Sequence, residues 1–300
     1  MRETEIVRNI RRLAATGPSN AQLIRGIGDD CAIFRPRVNE DLVFTSDFVL
    51  EGRHFTLESH SAADIGHKAL ARSLSDLAAM GSEPLFCLVS LALPQSLTGA
   101  WLNSFYRGLL ALARKNKVTL AGGDLSRFDK VVADVICCGR VPRGKALLRS
   151  GARPGDAIYV TGKLGASARG FAMQSGNAFR RHLRPEPCIS AGLALRRLPV
   201  TACMDLSDGL SLDLARLCEE SHVSAQIDSK LPVARGATLQ QALSGGEDYE
   251  LLFTASSEAK IPHKIGSLPV TRIGIITPKH AGQVFFEGQP LAPGGFDHFA

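Results

Sequence analysis

Short apolar segments typical of strands alternate with amphipathic helical segments through both halves of the chain. Residues 85–93 and 131–139 are apolar runs that predict buried strands. Residues 61–80 carry apolar side chains near helical spacing, which predicts a helix that Gly81 ends. Strands and helices in alternation predict an α/β (α+β) fold. A chain of 300 residues is long enough for two such domains.

A segment that mixes proline, glycine and basic residues, 141–153, interrupts this alternation and has the composition of a linker. We therefore place a domain boundary at Leu148, which gives an N-terminal domain of residues 1–148 and a C-terminal domain of residues 149–300. Each half has acids near predicted strand ends and a glycine-rich turn. The two halves are therefore expected to be related α/β lobes.

Composition excludes several classes of protein. The net charge of +6 is diffuse and lacks a dense Lys/Arg run, which argues against a nucleic-acid partner. The longest apolar run, 85–93, is far shorter than the ~20 residues of a membrane helix. The N-terminal segment is a charged amphipathic helix without the apolar centre of an export signal, and the 7 cysteines form no C-x-x-C pair. These features predict a cytoplasmic protein with no membrane partner.

The segment 26–54 combines acids and hydroxyls with short apolar runs. Predicted strands at 32–34 and 42–44 place Asp30 and Asp47 where a strand meets a loop. Two converging carboxylates ~4 Å apart repel by roughly 4 kcal/mol at an effective dielectric near 20, so either a cation offsets them or one of the two groups is protonated. Mg²⁺ suits such an all-oxygen site, although Asp after Gly is commonly a simple turn.

Further acids stand in comparable settings, including Asp124, which follows a predicted strand at 118–121 and two glycines. Asp76 lies late in the helix predicted at 61–80, where the helix dipole disfavours a negative charge. The motif DLSDG at 205–209 separates a predicted strand from a predicted helix, which would direct a helix N-terminus and two acids at one ligand. Each acid alone is more commonly a cap or turn residue. Together they predict a Mg²⁺ and polyphosphate site of Asp30, Asp47, Asp76, Asp124, Asp205 and Asp208.

Two segments partly match nucleotide-binding motifs, but each lacks a residue that its motif requires. Residues 139–146 (GRVPRGKA) have the glycines and lysine of a Walker A loop, but Ala146 replaces the hydroxyl residue that binds Mg²⁺. Gly26 and Gly28 begin a dinucleotide fingerprint in which Cys31 stands at the third glycine position. Both segments are interpreted as turns. No sequence pattern supplies a triad for His54, and an isolated histidine is more often structural than catalytic.

In combination, these motifs resemble the thiamine-monophosphate kinase family, of the superfamily that includes aminoimidazole ribonucleotide synthetase and selenophosphate synthetase. The match extends over nearly the whole chain. Single motifs are common, whereas the combination is specific. The matching segments are GIGDDCA at 26–32, TSD at 45–47, SLSDLAAMG at 73–81, AGGD at 121–124, LLRSGARPGD at 147–156, DLSDGL at 205–210, SGGEDYEL at 244–251 and FDHF at 296–299.

The resemblance implies direct transfer of the terminal phosphoryl group of ATP to thiamine monophosphate, with no dedicated acid or base. It implies several Mg²⁺ ions held by Asp30, Thr45, Ser46, Asp47, Asp76, Asp124, Asp205 and Asp208. It places ATP at Tyr106, Gly123, Arg149 and Ser207, and the thiamine phosphate at His54, Glu247 and Phe296. It also implies the two-domain aminoimidazole ribonucleotide synthetase-like fold, with a homodimer formed through the sheet of the N-terminal domain.

Some alternatives remain open on the sequence. Spacing departs from the family pattern between His54 and Asp76 and between Asp208 and Glu247, which puts peripheral substrate contacts in doubt more than the reaction. One alternative is amide activation or selenophosphate formation by another enzyme of the superfamily. Selenide chemistry is disfavoured because no cysteine precedes Cys31. The other alternative is a regulator that binds ATP without consuming it.

Overall fold

The computed structural model describes residues 3–28, 31–278 and 280–296. It divides into two compact units, each with its own mixed sheet. Of the described residues, those up to 77 and residues 83–144 form the N-terminal unit, and residues 78–82 and those from 145 onward form the C-terminal unit. The predicted class of two α/β domains is confirmed. The boundary placed at Leu148 stays a prediction. In the described part of the chain, every helix is too short or too polar to cross a bilayer.

In its described part, the N-terminal unit combines three α-helices and a short 3-10 helix (Gln95–Leu97) with a small two-stranded ribbon and a four-stranded sheet. The helices are α1 (Glu3–Ala14), α2 (Ala62–Ala79, whose end belongs to the C-terminal unit) and α3 (Ala100–Asn116). The strands are β1 (Leu23–Arg25), β2 (Ile33–Phe34), β3 (Glu40–Leu50), β4 (Glu83–Leu93), β5 (Thr119–Arg127) and β6 (Val132–Pro142).

The four-stranded sheet has the order β3-β6-β4-β5, with β4 and β5 parallel and the other neighbours antiparallel. Along β3 the burial alternates, so that Thr45 and Asp47 are less exposed than Phe44 and Phe48. Helix α2 packs over the less exposed face, where the Ser73 hydroxyl donates to the Val135 carbonyl at 2.8 Å. The sheet therefore has one face covered by a helix and one face that carries exposed phenylalanines.

Helices α2 and α3 approach each other through glycines. A Cβ at Gly66 would lie 2.0 Å from the Phe105 carbonyl oxygen, and one at Gly108 would lie 1.9 Å from that of Ala63. Side chains at either position would therefore force the helices apart. This close packing sets the position of Tyr106 on α3.

The C-terminal unit contains five helices in its described part: α4 (Ala166–Met173), α5 (Gly176–Leu183), α6 (Ile189–Leu195), α7 (Leu210–Glu220) and α8 (Leu239–Ser244). Its strands are β7 (Ala157–Thr161), β8 (Val200–Asp205), β9 (Ser224–Ile227), β10 (Leu251–Ala255), β11 (Lys264–Ile265), β12 (Leu268–Thr277), β13 (Val284–Phe286) and β14 (Gln289–Leu291). The sheet order is β14-β13-β9-β12-β7-β10-β8, with β11 paired to β12.

Two local predictions are wrong, and one helix was not predicted. Asp47 lies inside β3, because β3 pairs with β6 in unbroken register from Glu40 to Leu50. Asp124 lies inside β5, which continues past its two glycines alongside β4. Helix α5 was not predicted, because its sequence GNAFRRHL begins with glycine and has little apolar periodicity. The prediction that an acid ends a strand is confirmed for Asp205, the last residue of β8.

Candidate functional site

In the N-terminal unit, Asp47 on β3 and Asp76 on α2 form what we call the carboxylate cluster. The Thr45 hydroxyl donates to Asp76, and the Arg72 guanidinium lies 3.6 Å from the Asp47 carboxylate. Burial raises the pKa of Asp47 to about 6, repulsion from Asp76 adds to the shift, and Arg72 opposes it. The fold therefore brings together carboxylates whose charges are mutually unfavourable.

The two faces of β3 separate residues that are neighbours in sequence. Thr45 and Asp47 face Asp76, whereas Ser46 is exposed and its hydroxyl donates to Asp134 at 2.7 Å. Asp30 lies outside the described residues. The metal roles assigned to these residues stay predictions.

The carboxylate cluster suits Mg²⁺ by its chemistry. Its donors are carboxylate and hydroxyl oxygens, and the pKa of Asp47 is raised first by burial and then by repulsion from Asp76, both of which a nearby cation would offset. Within the described ranges, no group of three or more His, Cys, Asp or Glu residues has the arrangement of a metal site. Mg²⁺ commonly takes only one or two protein carboxylates and completes its shell with water and phosphate oxygens. The residues present therefore fit Mg²⁺ bound together with a phosphorylated ligand.

A cavity of about 690 Å³ opens in the same unit beside β5 and α3. Its lining includes Gly26, Gly28, Tyr106, Gly123 and Asp124, so the fold unites three residues that the sequence assigned to nucleotide or metal. Burial raises the pKa of Tyr106 well above its usual value, which keeps the phenol protonated as a hydrogen-bond donor. Backbone glycines and one phenol in a cavity of this size suit a ligand with a flat ring and phosphates.

His54 follows β3 and is 8% exposed. The backbone N–H of Leu50 donates to His54 Nδ1 at 3.0 Å, so the ring proton of neutral His54 lies on Nε2. Buried Lys68 donates to the His54 carbonyl at 3.1 Å. These contacts set the direction of the imidazole and make Nε2–H the donor group of the neutral ring.

In the C-terminal unit, one carboxylate organises the DLSDG turn after β8. Asp213 Oδ2 accepts the backbone N–H groups of Ser207, Asp208 and Gly209 at 3.1, 3.0 and 3.0 Å. Arg216 forms ion pairs with both Asp208 and Asp213. Burial raises the pKa of Asp213 to about 6, while the backbone N–H groups and Arg216 oppose the shift. Sequence analysis missed Asp213, although an acid in the first turn of α7 was a usable signal.

A second turn, SGGEDYE at 244–250, lies against the DLSDG turn. The Glu247 N–H donates to the Ser207 carbonyl at 2.7 Å, and the Tyr249 N–H donates to the Leu206 carbonyl at 2.8 Å. Glu247 and Tyr249 both adopt left-handed backbone conformations, with φ of 63° and 51°. Non-glycine residues adopt such conformations rarely and often near functional sites.

The C-terminal segment joins these turns through the Phe296 N–H, which donates to the Asp208 carbonyl at 3.1 Å. The structure thus brings Ser207, Asp208, Glu247 and Phe296 together within one unit. Arg149 lies in the segment before β7, where its side chain is exposed and its carbonyl accepts the Ser221 hydroxyl at 3.0 Å.

Comparisons with known proteins agree over both units. Residues 28–141 match the family model "AIR synthase related protein, N-terminal domain", and residues 153–286 match the corresponding C-terminal domain. The thiamine-monophosphate kinase of Escherichia coli O157:H7 is 42% identical in an alignment that covers 92% of this chain and 92% of that protein.

Two solved structures extend the comparison to three dimensions. The crystal structure of thiamine-monophosphate kinase from Stenotrophomonas maltophilia K279a has a TM-score of 0.84 and 34% identity, with 97% of this chain and 98% of that chain covered. AaThiL complexed with AMPPCP and TMP has a TM-score of 0.79 and 31% identity, with 100% and 99% covered.

Proposed function

Because the chain belongs to the AIR synthase related family and within it to the thiamine-monophosphate kinases, we propose that it phosphorylates thiamine monophosphate with ATP. The terminal phosphoryl group passes to an oxygen of the acceptor phosphate, and the products are thiamine diphosphate and ADP. The observation that carries this proposal is the 42% identity that spans 92% of both chains. A relative complexed with AMPPCP, an analogue of ATP in which a methylene group replaces the bridging oxygen, and with TMP supports the same pair of substrates.

The acceptor phosphate is anionic at neutral pH, so the reaction needs no side-chain base. It needs two phosphorylated molecules held in line and their negative charges offset. Bound Mg²⁺ supplies that neutralisation. In the N-terminal unit the residues proposed to hold it are Asp30, Thr45, Ser46, Asp47, Asp76 and Asp124, and in the C-terminal unit they are Asp205 and Asp208.

The nucleotide contacts follow from the same family pattern. Tyr106 and Gly123 line the N-terminal cavity, where the buried phenol donates and the glycine leaves room for close approach. At Gly123 a Cβ would lie 1.9 Å from the Val89 carbonyl oxygen, so no other residue fits this backbone. We assign Ser207 and Arg149 to the phosphates, since a guanidinium can donate to two phosphate oxygens at once.

The substrate contacts are assigned to His54, Glu247 and Phe296. His54 Nε2–H is a donor for a phosphate oxygen, as the Leu50 contact at Nδ1 fixes the tautomer. Glu247 supplies a carboxylate for the cationic thiazolium, and Phe296, 36% exposed, supplies an aromatic face for the same charge.

We also propose a homodimer in the cytoplasm, formed through the N-terminal sheet. Phe44 and Phe48 are 60% and 56% exposed on its outer face, which is unusual for large apolar side chains. All seven cysteines are free thiols, as a reducing compartment would keep them. Light scattering of the purified protein should give twice the chain mass of 32.1 kDa, and a monomer would contradict the dimer.

One assay tests the reaction. Purified protein is incubated with ATP, Mg²⁺ and thiamine monophosphate, and the products are separated and identified by mass. Thiamine diphosphate in equal amount to ADP is the expected result. Free phosphate with unchanged thiamine monophosphate would point to another ATP-dependent reaction. ATP binding without consumption would indicate a regulator.

A further inference from the structure

His182 on α5 is a buried histidine outside every sequence motif described above. Its side chain is 6% exposed and lies between two aromatic rings. Phe179 stacks on it with centroids 6.2 Å apart and planes at 11°, and Phe171 lies 5.3 Å away at 49°. The imidazole is therefore held in one orientation by its neighbours.

The Nδ1 atom of His182 faces two oxygens. Glu247 Oε2 lies 3.2 Å away, and Ser167 Oγ lies 2.9 Å away. The Ser167 hydroxyl can donate or accept, but an ionised carboxylate oxygen only accepts hydrogen bonds, so an unprotonated Nδ1 would oppose a lone pair of Glu247 Oε2. We therefore assign a proton to Nδ1, which donates it toward Glu247.

Asp248, the residue after Glu247, contacts α4, the helix that carries Ser167. Asp248 accepts the backbone N–H of Gly165 at 2.5 Å and that of Ser167 at 3.1 Å, at the beginning of α4. Ser167 thus contacts Asp248 through its backbone and His182 through its hydroxyl. These contacts connect the SGGEDYE turn to α4 and α5 at two adjacent residues.

From this arrangement we propose that His182 is a positioning residue, which orients the Glu247 carboxylate toward the cationic ring of thiamine monophosphate. The inference rests on the proposed function, since it assigns His182 to the substrate side of that reaction. A hydrogen bond to Oε2 limits rotation of the Glu247 side chain, and a preorganised carboxylate binds a cation with less loss of entropy. Since Glu247 is proposed to contact only one substrate, His182 should influence that substrate and not ATP.

The test compares KM for the two substrates in variants of the full chain. His182→Phe keeps an aromatic ring between Phe171 and Phe179 but removes the donor. We expect KM for thiamine monophosphate to rise about 10-fold or more, as for other residues that orient a ligand-binding group, with KM for ATP within about twofold of wild type. His182→Asn restores an N–H near the position of Nδ1 and should recover most of the affinity.

Two further variants make the result specific. In Glu247→Gln, the additional change His182→Phe should raise KM for thiamine monophosphate much less than it does in wild type, because the two residues act together. His263→Phe introduces the same substitution at an exposed position of the same unit and should leave both KM values unchanged.

The outcomes separate the inference from the proposed function. If the wild-type protein makes no thiamine diphosphate, both are overturned. If it does, and folded His182→Phe keeps the wild-type KM for thiamine monophosphate, only the positioning role fails. That role also fails if His182→Phe and His182→Asn weaken ATP and thiamine monophosphate equally, because a general packing defect would have this effect.

Discussion

The acids of the two units are held in place by opposite means. In the N-terminal unit, Asp47 lies on a strand and Asp76 on a helix, and their carboxylates repel each other. In the C-terminal unit, the Asp213 carboxylate accepts three backbone N–H groups and fixes a turn. The N-terminal carboxylates therefore destabilise their unit until a cation binds, whereas the Asp213 carboxylate stabilises the fold of the C-terminal unit. Removing an acid should accordingly have opposite effects on stability in the two units.

The largest expected effect is on turnover in Asp47→Asn. The variant loses a charged oxygen proposed to hold Mg²⁺, so kcat should fall by at least about 100-fold, as for removal of other groups that stabilise charge in a transition state. In metal-free buffer at pH 8, its free energy of unfolding should equal or exceed that of wild type, because a like charge is gone. Steady-state kinetics and denaturant unfolding measure the two quantities.

The exposed Asp129→Asn is the matched control for that variant and should change neither quantity. Near-normal turnover in Asp47→Asn would contradict its metal role. A marked loss of metal-free stability would contradict the electrostatic contrast between the units.

Asp213→Ala should lower the stability of the protein, in contrast to Asp47→Asn. Three backbone N–H groups lose their shared acceptor, and the free energy of unfolding should fall by about 2–4 kcal/mol. Turnover should fall as well, since Ser207 and Asp208 lose their fixed position. Asp228→Ala, at an exposed position, serves as control and should stay within about 0.5 kcal/mol of wild type. Equal free energies of unfolding for Asp213→Ala and Asp228→Ala would contradict the stabilising role of Asp213.

The pH dependence of stability provides a smaller effect. Burial raises the pKa of Asp248 to about 6, although two backbone N–H groups oppose the shift. The folded protein then binds this proton more tightly than the unfolded chain, so the contribution of Asp248 to stability falls as pH rises from about 4 to 6. The free energy of unfolding of wild type relative to Asp248→Asn should decrease by about 1–3 kcal/mol over that range. Parallel curves for both proteins would refute the raised pKa.

The smallest effect distinguishes the two faces of β3. Thr45 donates to Asp76 on the face covered by α2, whereas Ser46 donates to Asp134 on the other face. Both hydroxyls are proposed to bind Mg²⁺, but only Thr45 also orients a second proposed ligand, Asp76. Thr45→Val should therefore reduce kcat/KM about 10-fold or more, and Ser46→Ala should reduce it less. An equal or larger loss for Ser46→Ala, measured at identical Mg²⁺ concentrations, would contradict the additional role of Thr45 in orienting Asp76.

Sequence analysis succeeded where a residue's role depends on local order. The turn DLSDG between β8 and α7 was predicted, because strand, turn and helix follow one another in the chain. It failed where a role depends on partners far away. Asp47 was expected at a strand end because its segment ends in polar residues, but pairing with β6 extends β3 through it. Arg72 and Asp134 were missed because only the fold brings them beside residues 45–47.

Sequence by itself determined the alternation of strands and helices, the two-domain class and the family, since motifs and periodicity are properties of neighbouring residues. Tertiary structure decided which face of β3 each side chain occupies, which carboxylates oppose one another, and that His182 lies beside Glu247. The physical reason is that burial and electrostatic interaction depend on distance in space. Residues 182 and 247 become neighbours only when helix α5 packs beside the turn before β10.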